Sequence, residues 1–140
     1  MTGETDPPIL KVKRDVVAAV IRQTVELTVY AAAEPEPRFI WYNGSTPVTT
    51  TTDLHTNTQN RRIDITTASH SGSEVDSNDK DRKIAFRYSS TLTLSYANVW
   101  DLTEYRIVVE NDYGSNQTSL QLIQASKYYK LRLLTQTVVT

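Results

Sequence analysis

The chain has 140 residues, with 15 Lys and Arg against 16 Asp and Glu, a net charge of −1, four Gly, two His and no Cys. That length suits one domain with a tail and can bury a core without metal or disulfide staples. The charge balance argues against a nucleic-acid binder that relies on a basic surface, and the missing Cys excludes disulfide frameworks, thiolate metal sites and thiol catalysis.

Four glycines also leave little material for phosphate-cradling loops. About 20 residues are Thr. Thr, Val, Ile and Tyr are strand formers, so the composition leans to all-β.

The polar start through Pro7-Pro8 lacks the basic and apolar regions of a secretory leader. Residues 1–7 are expected to be disordered. Alternation predicts a strand over 9–13 and a short apolar continuation over 15–21. Residues 23–31 alternate with period two, placing Val25, Leu27 and Val29 on one face. Two prolines in 34–37 force a turn.

Arg38-Phe-Ile-Trp-Tyr42 is the next strand, closed by the hairpin signal Asn43-Gly44. Polar loops fill 46–83, interrupted by a weak strand over 48–52 and a firmer one over 61–67. The stretch 68–83 has no periodicity and carries six charges of mixed sign between Glu74 and Arg82, so it is expected to be a mobile loop. Further strands are predicted over 84–88, 90–96, 105–110 and 117–124, with a turn over 111–115. Seven to nine short strands between turn signals point to a two-sheet β-sandwich.

Residues 126–140 fit either a helix or a strand and could connect to a following domain.

Some of these residues resemble the signature of a known family. Trp41 within Phe39-Ile-Trp-Tyr-Asn-Gly44 resembles the strand that carries the core Trp of an immunoglobulin-like domain. Asp101-Leu-Thr-Glu-Tyr105, with Ile107 and Asn111-Asp-Tyr-Gly114, resembles its Tyr corner and the following hairpin. Leu92 and Leu94 suit the strand before that corner. The resemblance spans 8–125 and looks nearest the I-set. It implies an immunoglobulin-like Greek-key sandwich. Around 84–125 the chain also looks like the Cys-less membrane-proximal domains of receptor tyrosine kinases.

Three departures stand out. Val29 and Ile107 occupy the positions where the family carries its inter-sheet Cys pair. Thr103 replaces the corner Gly, and the connection into the corner is shorter than usual. A disulfide here would contribute roughly 4 kcal/mol, so packing must substitute for it. Phe39, Trp41, Val25, Leu27, Leu92, Leu94, Val109, Leu120 and Leu122 are the expected core. A fibronectin type III fold competes for the same corner, but it would need a Trp on its second strand, and none is there.

Little in the sequence suggests catalysis. No G-x-S-x-G or H-x-x-x-H spacing occurs, and His55 and His70 fall in polar loops, where solvated side chains are expected. Asp76 to Asp81 clusters oxygen ligands, but interleaved Lys and Arg fit a solvated loop better than a calcium site. No cofactor and no catalytic or metal-binding residue is expected. Asn43-Gly-Ser45 and Asn116-Gln-Thr118 are acceptor sequons, placed at expected turns and no more numerous than chance supplies.

The resemblance therefore implies a non-catalytic recognition module of a cell-surface receptor or adhesion protein, on the extracellular side of the plasma membrane or secreted. Its partner would be another protein or a second copy of itself, met through a sheet face or edge, and further domains would flank it. No membrane insertion is expected within the segment. Tyr42 and Val48 are candidate contacts. So are Tyr128 and Tyr129, although the apolar tail could equally cover its own or a neighbouring domain. The alternative is an intracellular scaffold module of a cytoskeletal or muscle protein, where missing Cys suits a reducing compartment.

Overall fold

Period-two alternation is the rule along the strands of this chain, because each buries one side and shows the other to water. The computed structural model describes residues 6–52, 62–70, 75–76 and 84–125. Twelve strands run in chain order: β1 Asp6–Lys11, β2 Val16–Ala19, β3 Val25–Glu34, β4 Arg38–Asn43, β5 Thr46–Pro47, β6 Thr51–Thr52, β7 Arg62–Ser69, β8 Val75–Asp76, β9 Ile84–Ala85, β10 Tyr88–Leu94, β11 Glu104–Asn111 and β12 Gly114–Gln124. A single 3-10 turn, Val99–Asp101, precedes β11.

Two five-stranded sheets face each other, in the orders β1-β3-β10-β7-β6 and β2-β12-β11-β4-β5. Neighbours are antiparallel except β2, which runs parallel to β12 and pairs Leu122 with Val17. The first segment therefore crosses from one sheet to the other between Lys11 and Val16. This all-β, two-sheet sandwich is the expected fold class.

The core lies between the sheets. Val25, Leu27, Val29, Trp41, Leu92, Leu94, Ile107, Val109, Leu120 and Leu122 are buried there, with Phe39 packed at the margin. Val29 and Ile107 are both 0% exposed. Both are β-branched and belong to the same core, one from each sheet. Trp41 sits directly across from Ile107 in the β4–β11 pairing, so indole and β-branched chain share one layer.

Several boundaries differ from expectation. Strand β1 begins at Asp6, two residues inside the segment 1–7 expected to be disordered, because Asp6 pairs with Glu34 across the ladder. The apolar run 15–21 is strand only from Val16 to Ala19. Beyond it the chain must turn, and Arg22 adopts φ 76° to do so. Of the expected weak strand at 48–52 only Thr51–Thr52 is strand, as β6 beside β7, while β5 beside β4 in the opposite sheet comes just before it.

In the stretch 68–83, β7 extends through Ser69, and β8 pairs with β9. The rest of that stretch lies outside the described residues. The 111–115 turn narrows to Asp112 and Tyr113, since Asn111 and Gly114 already pair.

Candidate interaction face

Three polar links hold the frame on which any surface site depends. The Trp41 indole N–H donates to the Ser90 hydroxyl at 2.9 Å, and both residues are buried. A buried indole needs such an acceptor. Ser90 pairs with Val29 in the ladder, so the hydroxyl comes from the strand facing Trp41. Sequence reading missed Ser90 because a Ser within Tyr88-Ser-Ser-Thr91 looks like surface.

At the corner, the Tyr105 hydroxyl donates to the Asp101 carbonyl at 2.7 Å, while the Asp101 carboxylate accepts the Asn98 backbone N–H at 2.7 Å. Asp101 thus fastens the 3-10 turn from inside, and Tyr105 ties β11 to it. Asn111 does a similar job at the opposite end. Its Nδ2 donates to the Pro35 carbonyl, and its Oδ1 accepts the Tyr113 N–H.

The outward side of β4, β11 and β12 carries the most organised surface. Register places Tyr42 beside Arg106, Ile40 beside Val108 and Arg38 beside Glu110. The Arg106 guanidinium lies 4.3 Å from the Tyr42 ring centroid and donates to the Gln117 side-chain carbonyl at 3.1 Å. It is held flat across three strands, so little side-chain freedom remains to be lost on binding. Ile40 and Val108 form an apolar row next to it. Arg38 and Glu110 approach to 3.4 Å at one end as an exposed ion pair that contributes little stability. Only Tyr42 of this set was singled out from sequence; Arg106, Ile40, Val108 and Gln117 become neighbours through strand register alone.

The other candidate residues are distributed as follows. Val48 is half-buried. It packs against the core, and its N–H donates to the Trp41 carbonyl at 2.8 Å. Apolar character in a polar stretch marked it as sticky, but the chain after β5 folds inward there.

His70 is not a solvated loop histidine either. It is half-buried, with Nε2 2.9 Å from the Ser89 hydroxyl and its ring tilted against Tyr30. Extension of β7 through Ser69 carries it onto the sheet.

Asn43 is exposed at the end of β4, before Gly44 at φ 65°. Asn116 lies not in a turn but on β12, where its Nδ2 donates to the Pro8 carbonyl at 3.3 Å. His55, the 77–81 part of the acidic cluster, Tyr128 and Tyr129 lie outside the described residues. Among the described residues, no three His, Asp or Glu side chains gather as a metal ion requires. No helix there is long and apolar enough to cross a membrane.

No family model matches the chain, and no curated protein matches its sequence. Solved structures do. A chain in the Dpr2 Ig1–Ig2 complex with DIP-Theta Ig1–Ig3 aligns at a TM-score of 0.62 with 17% identity, over 86% of this chain and 33% of that one. Titin M4 aligns at 0.60 with 15% identity, over 89% of this chain and 100% of that one.

This is an immunoglobulin fold.

An immunoglobulin domain from the titin M10 complex with obscurin-like 1 aligns at 0.55, with 16% identity over 86% of this chain and 94% of that one. The chain therefore matches a whole single domain in two cases, and about a third of the longer Dpr2-complex chain. Two features of the immunoglobulin fold are met by substitution here. Val29 and Ile107 lie buried between the sheets with no Cys in the chain, and the core Trp is anchored by Ser90.

Proposed function

We propose that this chain is a non-catalytic recognition module of a cell-surface receptor or adhesion protein, and that it binds a protein partner through the outward face of β4, β11 and β12. The observation that carries this reading is the Arg106 guanidinium, clamped between Tyr42 and Gln117 beside the apolar pair Ile40 and Val108. Interface centres are built from preorganised aromatic and Arg side chains with apolar neighbours, and charge pairs such as Arg38 with Glu110 suit a rim.

The Dpr2 neighbour is itself an immunoglobulin-domain complex. The first segment's switch between sheets, ending in β2 parallel to β12, supports an I-set assignment. The domain core would span 8–125, with 126–140 as an extension.

The test is a secreted, tagged chain presented to a panel of cell-surface ectodomains and to itself. Any specific partner should be lost on Arg106→Glu and on Ile40→Asp, with unchanged thermal unfolding. A partner indifferent to both changes would remove this face from consideration. Glycosidase treatment of the secreted chain should shift its mass through Asn43, since the Asn116 side chain is engaged with the Pro8 carbonyl.

The alternative is an intracellular scaffold module, favoured by the whole-domain match to titin M4 and by the absence of Cys. It predicts unmodified sequons and correct folding in a reducing cytosol.

A further inference from the structure

Each sheet ends in an edge strand on the flank where the first segment crosses over, β1 on one sheet and β2 on the other. The two edges differ. Strand β1 carries Pro7 and Pro8, which have no backbone N–H to offer, and Pro is a common guard of an open edge. Strand β2 reads Val-Val-Ala-Ala, with neither Pro nor charge.

The ladder fixes which backbone groups of β2 are left over. The Asp15 carbonyl accepts the Gln121 N–H, and the Ala19 carbonyl accepts the Ala125 N–H, both at 2.7 Å. Backbone groups alternate sides along a strand, so Asp15, Val17 and Ala19 turn theirs toward β12. Val16 and Ala18 therefore each turn an N–H and a carbonyl away from the sheet, where no described strand stands beyond them. Val17 packs against the core and holds β2 in place. The neighbouring side chains stand on the outward face instead. Val16 is 50% exposed, and Ala18, also exposed, pairs with half-buried Ile123. The open edge thus joins unused backbone groups to a short apolar row.

Its surroundings are basic. Lys11, Lys13, Arg14 and Arg22 stand against Asp15 between Ile9 and Val25, and the cleft between β2 and β3 adds Glu26. Arg14 and Arg22, on either side of β2, are exposed. This excess of cations favours an acidic guest. It opposes a second copy, because antiparallel self-pairing would bring Arg22 of one copy toward Arg14 of the other.

We infer that the open edge of β2 takes up an extended peptide as an added strand, apolar in its middle and acidic at its ends. Backbone bonds to Val16 and Ala18 hold it, its apolar residues cover Val16, Ala18 and Ile123, and its ends meet Arg14 and Arg22. The inference does not depend on the function proposed for the β4–β11–β12 face.

The test titrates the full chain with a fluorescein-labelled peptide of alternating Val and Thr that has two Glu at each end, and with the same peptide ending in Lys. The Glu-ended peptide should bind, less tightly as salt rises, and the Lys-ended one several-fold more weakly. Amide hydrogen exchange locates the site. Binding should slow exchange at Val16 and Ala18 and leave Val17 and Ala19, already paired with β12, unchanged. Ala18→Pro removes one outward donor and no β2–β12 bond, and should weaken binding about tenfold. Val16→Glu sets an acid in the apolar row at an exposed position and should weaken it too, which keeps the test decisive if the Pro variant does not fold. A Glu-ended peptide that fails to bind, or binds without protecting Val16 and Ala18, overturns the inference. So does slow exchange at both residues before peptide is added, because the edge is then already covered.

Discussion

A single hydroxyl decides whether the central Trp is satisfied. Ser90→Ala leaves the Trp41 indole N–H buried without an acceptor, a change that costs about 1–3 kcal/mol. Urea unfolding should show it as a lower midpoint at unchanged slope. Adding Trp41→Phe should cost less in that background than in the wild type, because the shared bond is already gone. Equal costs in both backgrounds would mean that the 2.9 Å contact carries no net energy.

Tyr105→Phe removes one buried hydrogen bond to the Asp101 carbonyl at almost constant volume. About 1 kcal/mol of stability should be lost, read in the same way. The Tyr was legible through the resemblance of Asp101-Leu-Thr-Glu-Tyr105 to the corner of immunoglobulin-like domains. Ser90 was not, since a Ser on a strand has the same pattern whether its hydroxyl meets water or an indole.

At the scale of elements, glycines at the two hairpin ends are held for different reasons. Gly44 sits at φ 65° with nothing within 4 Å of an added Cβ. Gly44→Ala should therefore meet backbone strain alone, about 1–2 kcal/mol. Gly114 has φ 154°, and its added Cβ would lie 2.9 Å from Pro7 Cβ. Gly114→Ala should cost more than Gly44→Ala, because β1 must move away from β12 as well. Thermal unfolding of the two variants gives the order, and the reverse order would show that β1 yields freely at Pro7.

Strands with strict alternation, such as β3 and β11, were legible because one face must be apolar. The edges β5 and β6 were not. Thr-rich polar sequence carries no face preference, so its register is set by whatever strand it meets.

For the whole molecule, the missing bridge is the clearest lever. Val29 and Ile107 belong to facing sheets and are fully buried in one core. The double substitution Val29→Cys with Ile107→Cys should form a disulfide on oxidation and raise stability by roughly 4 kcal/mol over its reduced form, less any strain. Thiol titration and unfolding in both redox states measure this. Two free thiols after full oxidation would show that the two positions do not oppose each other as the family's Cys pair does.

The sequence by itself determined the all-β class and the buried faces of the regular strands, and its resemblance to the immunoglobulin-like family pointed to Trp41 in the core and Tyr105 at the corner. Alternation and a short motif are local, so they survive whatever the rest of the molecule does. Tertiary structure decided the rest. Only the β4–β11–β12 register brings Arg106 over Tyr42 and Gln117, across long sequence separations. The turn of the chain after β5 packs half-buried Val48 against the core, and extension of β7 brings His70 to Ser89. Parallel pairing of β2 with β12 brings Ala125 to Ala19, at the end of β2. Those neighbours belong to strands far apart in sequence, and alternation says which way a side chain points but not what it will meet.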